Sequence, residues 1–122
     1  MIDHLVLNVR ELGESRRFFE QVLSPLGYGV AMSFPDWVGF GTSGKADFWL
    51  ARRDPANTAV HLAFQCGKRK QVDEFHSAAM KAGGKDNGKP GIRRDYDPNY
   101  YAAYVLDLDG NNIEVVCHDP QG

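Results

Sequence analysis

The largely apolar "MIDHLVLNV", residues 1 to 9, reads as an extended run, and the pattern then changes, with Leu12, Phe18, Phe19, Val22 and Leu23 at helical spacing. A strand followed by a helix is predicted. The helix is expected to fade near Ser24, because a residue before proline avoids the α region, with Gly27 and Gly29 at its exit. Extended segments follow near 28–34, 36–41 and 46–52, separated by "PD" and "GTSGK" turn chemistry. The pattern then restarts at Thr58. "TAVHLAFQC" reads as a strand, and Val72, Phe75, Ala79 and Ala82 share one helical face over 69–82, ending at Gly83-Gly84. His4 matches His61, Phe18 matches Phe75 and Gly27 matches Gly84, each pair 57 residues apart. A repeated supersecondary unit explains the register. After Gly84 the second copy departs: "GKDNGKPGIRRDYDPN" predicts a loop over a short strand. "YYAAYVLD" and "NIEVVCH" flank Asp109-Gly110 and read as an antiparallel hairpin. In these last strands the offset grows to 65, which sets Trp49 opposite Glu114.

Side chains alternate across a strand, so each strand divides into two sets. Leu5, Leu7, Val9, Leu62, Phe64, Cys66, Ile113, Val115 and Cys117 form the set expected to pack under the helices. His4, Val6, Asn8, His61, Ala63, Gln65, Asn112, Glu114 and Val116 form a smaller, more polar set. A curved sheet with such a front is expected to enclose a ligand cavity. If His4, His61 and Glu114 converge there, two imidazoles and one carboxylate make a facial triad for a divalent transition metal with open positions opposite. The alternative is three independent polar residues on an exposed face. His118 lies too far along its strand to join them and is expected at the rim, while His76 falls in the second helix with a surface or packing role.

Composition narrows the classes. A length of 122 residues fits one domain, 1–122, and a net charge of -2 with mixed signs gives no footprint for nucleic acid or an anionic membrane. "GKRKQ" and the arginine pairs at 52 and 93 read as solvated surface. No apolar run spans a bilayer and no charged-then-apolar leader opens the chain, so a cytoplasmic protein is expected. Cys66 and Cys117 are in phase with core residues and are expected to stay reduced. No phosphate loop, nucleophile elbow or CxxC pair occurs.

"IDHLVLNV" with His4, "RRFFEQVLSPLGY", "VHLAF" with His61 and, most specifically, "YVLDLDGNNIEVV" with Glu114 resemble the vicinal oxygen chelate superfamily, which includes glyoxalase I, extradiol dioxygenases, fosfomycin resistance enzymes and bleomycin resistance proteins. The resemblance covers essentially the whole chain. It implies an α+β fold of two tandem βαβββ modules, about 1–55 and 56–122, forming an incomplete barrel around a concave cavity. It implies a divalent metal, Fe, Mn, Ni or Zn, on His4, His61 and Glu114, acting as a Lewis acid on two neighbouring substrate oxygens. It also implies a homodimer, in which the three ligands come from one chain or from two.

Tyr104, ten residues before Glu114, matches a tyrosine that faces the metal in extradiol and fosfomycin enzymes, and is the candidate acid or hydrogen-bond donor. A three-residue turn, 108 to 110, sets Tyr104 and Tyr100 on the cavity side; a two-residue turn sets Tyr101 there instead. The departures are equally informative. Glyoxalase I has a ligating glutamate where this chain has Trp49, fosfomycin enzymes have a threonine where it has Val6, and the further histidines of extradiol dioxygenases are missing. The expected function is a metal-dependent lyase, isomerase or dioxygenase acting on a small molecule, and not a true glyoxalase I. The alternative is a metal-free drug-sequestering protein of the bleomycin resistance type, with Trp37, Trp49, Tyr100 and Phe40 lining its groove.

Overall fold

The computed structural model describes all residues, Met1–Gly122. The first module runs β1 (Leu5–Val9), α1 (Leu12–Leu23), β2 (Gly29–Phe34), β3 (Trp37–Thr42) and β4 (Lys45–Arg52). The second runs β5 (His61–Cys66), α2 (Arg69–Lys81), β6 (Lys85–Ile92), β7 (Tyr101–Leu106) and β8 (Asn112–Cys117). Each module is a four-stranded sheet, ordered β1-β4-β3-β2 and β5-β8-β7-β6, with its first strand parallel to its last. The parallel pair is possible because a helix and two further strands intervene in sequence. The two sheets are separate, so no closed barrel forms.

The apolar strand set does pack under the helices. Leu7, Val9, Leu50, Ile113 and Val115 join Phe18, Phe19, Val22, Val72 and Phe75 in one core cluster of 19 buried residues drawn from both modules. Phe48 meets Phe64 edge to face at 5.3 Å between ring centroids, and Tyr28 meets Phe64 at 5.6 Å, tying the modules through their helix sides. Phe18 and Phe75, equivalent in the repeat, are 1 % and 0 % exposed, so the duplication preserves the core. Each such side chain contributes about 1.5–3 kcal/mol by leaving water.

Helix α1 ends where Pro25 forces a change. Ser24–Leu26 continues as a 3₁₀ turn with Pro25 near its start, and Gly27 closes it in the left-handed region at φ 82°. At the exit of α2 the left-handed residue is Gly83 rather than Gly84, a slip of one against the repeat. Residues 85–92 correct the expected loop over a short strand: they build an eight-residue strand, β6. It is an edge strand whose register shifts on both sides of Gly88, and an edge tolerates Pro90 because no neighbour needs the missing N–H. No helix is long and apolar enough to cross a membrane.

Candidate functional site

On the face turned away from the helices, hereafter the outer face, the two modules differ. In module two, Glu114 lies at the middle of the central strand β8 and is only 2 % exposed. A buried carboxylate is costly unless it is bonded. Here His61 Nε2 donates to Oε1 at 2.9 Å and the Tyr100 hydroxyl donates to Oε2. Ala63 is the direct ladder neighbour of Glu114, so His61 reaches it diagonally from the start of β5. Tyr104 pairs with Glu114 across the β7–β8 ladder, and its ring lies 6.2 Å from the His61 ring.

The hairpin turn sets this arrangement. Asp107 Oδ1 accepts hydrogen bonds from the backbone N–H groups of Asp109 and Asn111 at 2.9 and 2.8 Å, closing a three-residue turn in which Asp107 N–H bonds the Asn111 carbonyl. That register puts Tyr100, Tyr104 and Glu114 on the outer face. Tyr101 points to the helix side instead and donates to Asp73 at 2.6 Å. Asn111, fully buried, accepts from the Val60 N–H at 3.0 Å and donates to the Asn57 carbonyl at 2.8 Å. The motif that makes the turn therefore also anchors the residue preceding His61.

Burial, and then the Glu114 carboxylate, push the Tyr100 hydroxyl well above the ordinary tyrosine range. Tyr104 moves the same way, chiefly through burial, with Arg93 pulling against it. Both phenols therefore stay protonated at neutral pH and serve as donors. Arg93 lies over the Tyr104 ring at 5.3 Å while bonding the Lys89 and Ala102 carbonyls, and its buried Nε has no partner. A side chain at Gly88 would come within 2.7 Å of Tyr104 and 3.3 Å of Arg93, so glycine makes room for that stack.

Module one has a different outer face. His4 lies just ahead of β1, half exposed, with Nδ1 2.7 Å from Asp3. It lines a cavity of about 520 Å³ with Asp3, Val6, Phe34, Trp37, Ala46 and Trp49, all from module one. Trp49 lies across Gly39, where an added Cβ would approach its ring to 2.9 Å, and meets Trp37 edge to face at 6.4 Å. Phe40, expected in the groove, is instead fully buried in the core, because it alternates with Gly39 and Gly41.

Within one chain, then, His61 and Glu114 come together with Tyr100 and Tyr104, and His4 lines the module-one cavity with Trp37 and Trp49. No group of three or more His, Cys, Asp or Glu side chains in the chain is placed to hold a metal ion. The donor chemistry nonetheless suits two of the three positions of a facial triad, an imidazole nitrogen and a carboxylate oxygen in hydrogen-bond contact. His118 packs edge-on against Tyr100 at 5.1 Å, and His76 bonds Asp86 at 2.9 Å.

Arg52, Arg53 and Arg94 are exposed, as expected, and Arg93 is half-buried. Arg53, still exposed, lies 4.4 Å over the Trp37 ring and Arg69 5.2 Å over Tyr101, so these and Arg93 each rest on an aromatic face as well. An Arg-Arg pair does not reveal which ring lies beneath it. Arg53 was accessible by parity with Trp49 on β4; Arg93 was hidden by the bulges of β6.

The sequence model of the Glyoxalase/Bleomycin resistance protein/Dioxygenase superfamily matches residues 1–115. Among solved structures, the chain is similar to a glyoxalase/bleomycin resistance protein from Albidiferax ferrireducens T118, at 27% identity and TM-score 0.83, covering 96% of this chain and 98% of that one. It is also similar in fold to a glyoxalase/bleomycin resistance protein/dioxygenase family enzyme from Burkholderia phytofirmans PsJN (18%, TM-score 0.75, 97% and 98% covered) and to a glyoxalase-related enzyme from Fulvimarina pelagi (16%, TM-score 0.74, 96% and 87%). No curated protein matches the sequence.

Proposed function

Because the chain belongs to the Glyoxalase/Bleomycin resistance protein/Dioxygenase superfamily, we propose that it is a metal-dependent enzyme acting on a small molecule with two neighbouring oxygens, by lyase, isomerase or dioxygenase chemistry. The reading rests on one observation above all: a carboxylate, Glu114, buried on a sheet face away from the core and held by His61 and Tyr100 beside a second protonated phenol. His61 and Glu114 are the ligands of one chain, and His4 of a second copy is the third, in a homodimer whose site is incomplete in either chain alone. The half-exposed Phe34 beside His4 and the exposed His61, Ala63 and Gln65 on the sheet of module two support a second copy as the cover. A divalent Fe, Mn, Ni or Zn ion held there supplies a Lewis acid for the substrate oxygens.

The chain's own groups do the rest. Glu114 keeps its orientation through Tyr100, and Tyr104, held protonated by burial, donates to a substrate oxygen as negative charge develops on it. Trp37 and Trp49 exclude water and stack on a flat part of the substrate. Indole has no basic lone pair, so Trp49 cannot take the place of the glyoxalase I carboxylate as ligand or base. Turnover of methylglyoxal hemithioacetal is therefore expected to stay below a kcat/KM of about 10⁴ M⁻¹s⁻¹, the lower end of ordinary enzyme efficiency.

A second reading, a metal-free protein that sequesters flat ligands, draws on the Trp37–Trp49 cavity. Complementation separates the two. His4→Ala and His61→Ala variants are each expected to lose stoichiometric metal on elemental analysis, while an equimolar mixture refolded together regains about a quarter of the wild-type sites, the statistical share of a C2 dimer. No recovery excludes the shared site. Wild type without a stoichiometric ion after reconstitution favours sequestration. Sedimentation at micromolar concentration checks the dimer.

A further inference from the structure

Next to the aromatic cavity of module one lies a second, about 490 Å³, lined by Arg10, Arg52, Arg53, Asp54, Pro55, Ala56 and Thr58. Three arginines line it, and they are not equivalent. Arg52 donates to Asp36 at 2.6 Å, which neutralises it. The guanidiniums of Arg10 and Arg53 form no ion pair with any carboxylate, including Asp54 on the same wall. Asp109 accepts only from the Arg10 backbone N–H, at 3.3 Å. Two arginines without a carboxylate partner thus line one cavity against a single carboxylate, Arg53 with its guanidinium resting on the Trp37 ring.

The two cavities are connected by one side-chain contact. Arg53 belongs to the cationic one and lies 4.4 Å over the ring of Trp37, which belongs to the aromatic one. Residues 49, 51 and 53 alternate onto the outer face, and Ala51, between Trp49 and Arg53, is the ladder partner of Trp37. From Trp49 to Arg53 is four residues of extended chain, about 13 Å at roughly 3.3 Å per residue. An aromatic surface thus leads along the sheet toward the arginine-lined cavity.

We propose that the ligand of this face is a planar aromatic molecule carrying an anionic arm, a carboxylate or a phosphate, with its ring against Trp37 and Trp49 and its anion between Arg10 and Arg53. Guanidiniums suit this task because their fixed N–H fork matches a carboxylate or phosphate in two parallel hydrogen bonds. The proposal rests on the reading above that the outer face of module one walls the substrate site, and it names the class of substrate.

Naphthalene-2-acetate and its neutral counterpart naphthalene-2-acetamide test it by calorimetric titration of the full-length, metal-reconstituted protein. The acid is expected to bind at least 10-fold more tightly than the amide. Arg53→Gln and, separately, Arg10→Gln reduce that preference to 3-fold or less while leaving amide binding within a factor of 2. Both positions carry surface side chains, and a melting curve matching wild type shows each variant folded. Trp37→Leu weakens both ligands alike. Equal binding of acid and amide by wild type, or a preference that survives both arginine variants, overturns the proposal, as does failure of both compounds to bind below 10 mM. Phosphate competing with the acid and not with the amide places the anion at the arginines. Metal content measured on the same samples keeps the readings apart: a charge preference without bound metal defeats the metal-dependent enzyme and leaves the anionic ligand standing.

Discussion

At the rung where β3 meets β4, module one sets Gly39 against Trp49; at the corresponding rung of module two, β7 sets Tyr104 against Glu114. In the first the bulk is on the last strand, folded down over the glycine. In the second the bulk is on the hairpin partner, which leaves the last strand free to carry a carboxylate. Around both rungs the helix-side residues are interchangeable apolar groups, Leu50 for Val115 and Phe48 for Ile113. Duplication thus held the core fixed, where every methylene is constrained by packing, and let the outer faces diverge into an aromatic wall and a polar centre.

The sharpest way to break this comparison is to remove the polar centre alone. Glu114→Ala is expected to abolish stoichiometric metal on elemental analysis, whereas Trp49→Ala keeps it. Equal loss in both would mean that the two faces do not divide the work in this way.

A smaller effect tests the wall. Gly39→Ala puts a Cβ 2.8 Å from that of Ala46 and 2.9 Å from the Trp49 ring. It is expected to cost about 1–3 kcal/mol in urea unfolding. In a Trp49→Ala background the cost should fall to that of the Ala46 contact alone, a coupling that a double-mutant cycle reads directly. Additive costs would mean that the indole does not lie on Gly39.

The smallest effect compares the two modules' tyrosine anchors. Tyr28, raised to about 12 by burial and then by Asp47, sits in module one; Tyr101, raised to about 12 by its bond to Asp73 and then by burial, sits in module two. A tyrosine whose pKa is higher folded than unfolded stabilises the fold below its ordinary value of 10.0, and that contribution fades as pH rises from there toward about 12. Stability should therefore decline across that window, and Tyr28→Phe and Tyr101→Phe should each make the decline shallower. An unchanged slope in both variants would show that neither anchor is coupled to folding.

Much of this was legible in the chain itself. Period two and period 3.6 placed both helices and most strands, and the 57-residue register found the duplication because it recurs in buried positions such as Phe18 and Phe75. Strand parity put His61 and Glu114 on one face, and the Asp107–Asn111 spacing contained the three-residue turn that selects Tyr104 over Tyr101. Two things were not legible. β6 was hidden because glycine, proline and charge signal a loop wherever an irregular edge strand can also hold them. The separation of His4 from His61 was hidden because parity says which face a residue takes and nothing about whether two faces look at each other.

The connection between the modules also bears on how the molecule comes apart. Asn57 accepts from the Asn8 N–H at 2.7 Å and returns its own N–H to the Asn8 carbonyl at 2.9 Å, while Asn111 holds the same segment from the other side. With both helices in a single core cluster, neither module keeps a complete interior when the other melts. The metal-free chain should therefore unfold as one cooperative unit, with calorimetric and van't Hoff enthalpies in agreement. Its internal symmetry, plain in sequence, leaves no trace as a second thermal transition.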